Sequence, residues 1–211
     1  MTARRKKSTI GKRYPILFSE HMVNSTFDGT RTQIRKNVVF NKGFEKPLPF
    51  MWDDKDWWMG DITLQRKPGD AAWWWVSDRT VSKYIAANPQ YGGPGSILYA
   101  KEQWSDVGPR NNEHIIHRFG PSNGIEDDLK VDWKLSISMK KRDARLWLRI
   151  RSIRAETLHA ITNEDMKLSG FNNLEEFKQH WRSAYFRSSL WEDNPWVWVI
   201  DFTVDNRMTR R

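Results

Sequence analysis

Cysteine is absent from the 211 residues, which rules out disulfide frameworks, thiolate zinc sites and a cysteine nucleophile before any motif is considered. Long apolar runs are missing as well. The longest, such as Trp196 to Ile200, fall far short of the roughly 20 residues that cross a bilayer, and the N-terminus has no apolar signal core. These absences predict an unexported protein, cytoplasmic and without membrane contact. Acidic residues are absent from both ends. Residues 1–13 hold Arg4, Arg5, Lys6, Lys7, Lys12 and Arg13, and residues 206–211 hold Arg207, Arg210 and Arg211, with no Asp or Glu in either stretch. Those nine cations account for the net charge of +9, so the body between them is neutral overall. We expect basic, disordered tails at 1–13 and 206–211 around a single domain at 14–205, with salt-sensitive attraction to phosphate from the tails.

What is present is a globular composition, 38% hydrophobic and 29% charged, with 13 tryptophans and length enough for one well-buried domain. Tyr14 to Phe18 reads as a short strand, and Ser19 is placed to cap a helix that buries Met22, Val23 and Phe27 until Gly29 ends it. A basic loop runs from Gly29 to Lys36, with Val38, Val39 and Phe40 suggesting a strand after it. Prolines and tryptophans scattered over 41–95 predict irregular loops and short strands. Ile97 to Trp104 reads as a strand entered from the Gly92-Gly93-Pro94-Gly95 turn, and polar residues 105–129 read as an insertion or mobile lid. The alternation of Val131, Trp133, Leu135, Ile137 and Met139 predicts the clearest strand, and Leu146, Leu148 and Ile150 predict another. Thr162 and Asp165 form a capping-box pattern opening a short helix that Gly170 closes. Leu174, Phe177, Trp181 and Tyr185 share one stripe of a longer helix. Trp196 to Val204, apolar on both faces, predicts a central strand.

Few of these residues suggest catalysis. Of the five histidines only His114 and His117 are close, and they read as surface residues rather than metal ligands. No Ser-His-Asp arrangement, P-loop or dinucleotide fingerprint is present, and no cofactor is expected. Arg31, Arg35 and Lys36 cluster where donors can converge on a phosphate. Trp52, Trp57, Trp58, Trp73, Trp74 and Trp75 place six indoles within residues 52–75. Exposed indoles there would stack on bases or form a protein contact surface, for which Trp57, Trp58 and Trp74 are the candidates; core packing is the competing explanation.

Ile16-Leu17-Phe18-Ser19 followed by Phe27-Asp28-Gly29-Thr30-Arg31-Thr32-Gln33-Ile34-Arg35-Lys36 resembles the opening of phage-associated ASCH-domain proteins. Tyr91 to Trp104, Trp133 to Met139, Ile161 to Asp165 and Asn194 to Phe202 resemble later segments of that family, in order, from about residue 15 to 203. The resemblance implies an α+β fold: a PUA-like, mainly antiparallel β-barrel with flanking helices and long irregular insertions at 41–95 and 105–129. It also implies phage or prophage origin, in a bacterial host's cytoplasm, and binding of RNA, DNA or a modified nucleotide. The residues put forward for that ligand are Arg31, Thr32, Gln33, Arg35, Lys36, Lys101, Glu102 and Trp104.

Some relatives are implied to be nucleoside amidohydrolases, using a lysine and a threonine of the first loop and a glutamate near the later helix. Those positions fall on Arg31, Ile34 and Ser169 here, and a gap shifted by one residue would restore Thr32 or Glu164 as candidates. Arginine stays protonated, isoleucine has no hydroxyl and serine no carboxylate. The expectation is therefore a non-catalytic nucleic-acid or nucleotide-binding module, with no catalytic residue assigned. Amidohydrolase or ribonuclease activity, and a phage adaptor that binds a host protein through its tryptophan-rich region, are the alternatives.

Overall fold

A computed structural model describes residues 12–39, 90–107, 114–121, 131–185 and 190–209, together with the backbone of three strands between residues 62 and 87. The fold is mixed α+β, as expected. Its main sheet takes β1 (Arg13–Leu17), β2 (Gln33–Asn37), β6 (Ile97–Lys101), β9 (Trp147–Thr157) and β10 (Trp196–Val204) in the order β1-β6-β9-β10-β2. The β1–β6 pairing is parallel and the other three are antiparallel. β1 and β2 stand at the two edges, so this sheet is not closed into a barrel among the described residues.

The central place of β10 follows from its sequence. Trp198, Ile200 and Phe202 join Ile16, Val23 and Leu148 in the main core, while Val197 and Val199 enter a second core with Leu158, Phe171, Phe177 and Trp181. A strand buried on both faces has no room for polar alternation. Arg151 is skipped where Asp201 faces Ser152 and Phe202 faces Ile150, a bulge that bends the β9–β10 pair. Leu146, Leu148 and Ile150 are buried as expected, but Trp147 on the opposite face is buried too, in a third cluster with Ile97, Trp104 and Met139.

Helix α1 (Glu20–Phe27) starts at Ser19, whose side chain accepts from the Met22 N–H. It buries Met22 and Val23 and hands over to Gly29 at φ +77°. α2 (Asn163–Leu168) carries the full Thr162–Asp165 capping box, and α3 (Leu174–Tyr185) lays Phe177 and Trp181 onto the second core.

Three expectations need correction. Residues 131–139 form no strand: Leu135 and Ile137 are each 68% exposed, and a 3-10 turn occupies Ser136–Ser138. Among the described residues the only ladder contact of this segment is an isolated Trp104–Lys134 bridge, and the Ser138 hydroxyl donates to the Leu135 carbonyl at 2.7 Å. Alternation without a continuous ladder beside it leaves the chain to such local bonds. The strand is Gln33–Asn37, within the expected loop, and Val38 and Val39 lie outside it, so half of the loop is sheet; Phe40 lies outside the described residues. Between 105 and 129 the chain forms a hairpin of β7 (Trp104–Val107) and β8 (His114–His117), where an insertion or lid was expected.

The three intervening strands, β3 (Ile62–Gln65), β4 (Trp73–Ser77) and β5 (Tyr84–Ala87), form a separate antiparallel sheet in chain order. Trp74 lies on its central strand, with backbone partners Gln65 and Ala86; Trp57 and Trp58 lie outside the described residues. The terminal segments also reach into the fold. Arg13 opens β1, the Lys12 carbonyl accepts from the Ile97 N–H at 2.9 Å, and Thr209 Oγ1 accepts from the Trp147 N–H at 3.1 Å.

Candidate functional site

Edge strands β1 and β2 both line one cavity of about 700 Å³, so the sheet curls until its edges face each other across a gap. α3 and Tyr91 of the glycine turn complete the walls. Burial is graded along it. Arg31, Ser169 and Phe171 are 3%, 1% and 5% exposed at its inner end, whereas Leu17 and Ile137 are 48% and 68% exposed and mark its mouth.

Arg31 reaches the inner end because the chain turns there from α1 into β2. Its backbone N–H donates to the Ser25 carbonyl at 2.8 Å, and an isolated bridge joins it to Ser169. Its Nε donates to Ser25 Oγ at 2.9 Å, and the guanidinium lies 5.2 Å from the centroid of Phe171. Nη2 is buried without a hydrogen-bond partner, as is the Ser169 hydroxyl. Among the described residues Arg31 makes no ion pair. Burial lowers its pKa to about 9, so it keeps its charge at neutral pH.

Lys36 lies two residues beyond buried Ile34 on the same face of β2 and also lines the cavity. It is half-buried as a residue, and burial, with Arg31's charge added, lowers its amine to a pKa of about 8. His180 of α3 registers the same field. Burial first, then the charges of Arg31, His21 and Lys36, lower its pKa to about 4, so the ring is neutral at pH 7. Among the described residues no Asp or Glu lines the cavity. Aromatic walls accompany these cations: Trp181 stacks on Tyr185 at 4.3 Å between centroids, Phe171 stacks on His21 at 4.5 Å, and Tyr91, to whose hydroxyl Gln90 donates at 3.0 Å, lines the cavity too.

Arg35 touches the cavity but is already neutralised. Its guanidinium bonds to Gln33 and Glu156 and lies 3.3 Å from Asp165. Gln33 Nε2 donates to both Asp165 and Asp201 at 2.9 Å, and Arg154 ties the same three acids together from β9. Burial works to raise the Asp165 pKa, but hydrogen bonds from Gln33 and Thr162 and the charge of Arg35 outweigh it and hold it well below the usual carboxylate range. This network clamps α2 to the sheet and thereby places Ser169.

Of the residues put forward from sequence, the cavity therefore collects Arg31, Arg35, Lys36 and Lys101. Lys101 donates from its Nζ to the Ile137 carbonyl near the mouth. Thr32 is exposed outside the cavity, and Gln33 belongs to the acid network. Glu102 is fully buried elsewhere, held by Arg145 through two 3.1 Å bonds. Trp104 packs in the third core and donates to Ser138 Oγ at 3.1 Å. Arg31, Ile34 and Ser169, the three positions matched to amidohydrolase residues, all line the cavity, while Glu164 does not.

Sequence reasoning missed His180, Tyr91, Tyr185 and Phe171. His180 is half-buried rather than a surface histidine, and the signal was its place three residues after Phe177, beside the buried stripe of α3. Tyr91 and Phe171 carried no such signal, because loops position both. Among the described residues no group of three His, Asp or Glu side chains could hold a metal ion, and no helix is long and apolar enough to cross a membrane. Comparison of the chain with protein-family models, with curated proteins and with solved structures yields no match.

Proposed function

We propose that this chain is a non-catalytic, ASCH-type module of the PUA-like group, of phage or prophage origin, that binds RNA, DNA or a nucleotide in the cavity between β1, β2 and α3. One observation carries the reading: Arg31 is buried and charged, has no carboxylate partner among the described residues, and its Nη2 is buried without a hydrogen-bond partner. An uncompensated buried charge costs a fold several kcal/mol, and a bound phosphate offsets that cost. Lys36 adds a second cation, and Tyr91 and Tyr185 supply ring faces for a base. A volume of about 700 Å³ suits a ligand of nucleotide size.

The absence of catalysis belongs to this reading because Thr32, Glu102 and Glu164, the side chains that would replace a missing nucleophile or acid, stand away from the cavity. The test is binding of the full-length protein to single-stranded and duplex RNA and DNA at two salt concentrations, beside the double variant Arg31→Ala/Lys36→Ala. Binding that weakens at least about tenfold in the variant, the scale of losing charge-assisted hydrogen bonds, is expected. Equal binding by a folded variant would move the ligand to another surface.

A further inference from the structure

We infer that the cavity takes a terminal phosphomonoester, on a free nucleotide or at the end of a nucleic-acid strand, and not an internal phosphodiester. The inference rests on the nucleotide-binding reading and sharpens it.

Two observations carry it. The first is the shape of the cavity. Its unsatisfied donors, Arg31 Nη2 and Ser169 Oγ, lie at the end where Arg31, Ser169 and Phe171 are at most 5% exposed, and the open end is the one rimmed by Leu17 and Ile137. An internal phosphodiester has chain leaving in two directions, and both would have to pass out on the exposed side, by Leu17 and Ile137. A phosphomonoester has one attachment and enters oxygens first.

The second observation is the count of uncommitted charge. Among the described residues four cations line the cavity, but Arg35 is matched by Glu156 and Asp165, and Lys101 is bonded to the Ile137 carbonyl near the mouth. Arg31 and Lys36 remain, and neither forms an ion pair among the described residues. Two cations suit the charge of about −1.5 to −2 on a phosphomonoester at neutral pH better than the single charge of a phosphodiester. Ser169 Oγ offers a further donor beside Arg31, to which its backbone is bridged. The aromatic side chains Tyr91 and Tyr185 also line the cavity and offer ring faces for the sugar and base attached to the phosphate.

The experiment compares one single-stranded oligonucleotide with a 5′-phosphate, a 3′-phosphate or hydroxyls at both ends, alongside a nucleoside 5′-monophosphate and its nucleoside, all titrated against the full-length chain at constant salt and pH 7. The expected result is at least a tenfold preference for a phosphorylated terminus or for the monophosphate over its hydroxyl counterpart. That preference should collapse in Arg31→Met and in Lys36→Gln, two variants chosen so that one misfolded protein does not decide the matter. Preference for the free monophosphate would identify a nucleotide as the ligand; preference for one phosphorylated strand end would identify end recognition. Equal binding of phosphorylated and hydroxyl-ended strands overturns the inference while leaving nucleic-acid binding intact. No binding of any of these ligands overturns both.

Discussion

Arg31 and Arg35 are four residues apart in sequence, yet they do opposite work. Arg35 meets Glu156 and Asp165 and locks α2 to the sheet, whereas Arg31 meets only Ser25, Phe171 and the cavity. Composition cannot separate them, because the acids that neutralise Arg35 lie more than a hundred residues away in the chain. Lys36 yields a pH prediction. Its pKa in the folded, unliganded chain is lowered from 10.5 to about 8, so the fold bears the cost of that charge in full below pH 8, and the cost is relieved as pH rises toward 10.5. An anion needs the protonated amine, so affinity should be full below about pH 8 and fall as pH rises through it, with a midpoint that the ligand itself shifts upward. Lys36→Arg, which stays protonated, should flatten the profile between pH 7 and 9; titrations across that range check it. An identical fall in both proteins would remove Lys36 from the site.

At the scale of elements, the turn between α2 and α3 is the part of the site most exposed to backbone change. Gly170 has φ +75°, and a Cβ there would come within 2.9 Å of the Ser25 Cβ and 3.4 Å of Arg31 Nη2. Gly170→Ala should therefore destabilise the chain by about 1–3 kcal/mol in urea unfolding and, by pushing Ser25 and Arg31, weaken ligand binding as well. A fully stable variant with unaltered binding would show that this turn does not position Arg31. The elements legible in the sequence were those whose signal is local and also satisfied in space. Ser19 and the Thr162–Asp165 box cap helices, and the α3 stripe packs on β10. Residues 131–139 had an equally clear alternation but among the described residues meet β7 through a single bridge at Lys134, and Ser136–Ser138 become a 3-10 turn at the rim of the cavity. Ile137 thus contributes to the mouth through exposure, not through the burial its pattern implied.

Over the whole molecule, the charge that dominates the composition and the charge that builds the site are different sets. The termini hold the excess, but Lys12 and Arg13 already belong to the sheet, which leaves Arg4, Arg5, Lys6 and Lys7 as the cations of residues 1–11. Removing residues 1–11 should lower the slope of log affinity against log salt by up to about 3 on single-stranded nucleic acid, without abolishing binding. An unchanged slope would mean that the N-terminal cations contribute nothing. The cavity itself was half legible: the run from Arg31 to Lys36 announced its cations, while its walls come from Tyr91, Phe171, His180 and Tyr185, brought together only by the curl of the sheet and the docking of α3. Glu102 and Trp104, which adjoin Lys101 in sequence, were carried by the strand's end into a buried ion pair and the third core instead.

The most direct measurement is the affinity of Arg31→Met for single-stranded nucleic acid and for a nucleoside monophosphate, relative to the unmodified chain at one salt concentration. If Arg31 is an uncompensated cation held for an anion, methionine of similar length should fill its place without lowering the unfolding midpoint, while affinity falls at least about tenfold. A folded Arg31→Met protein that binds as tightly as the unmodified chain would contradict the account.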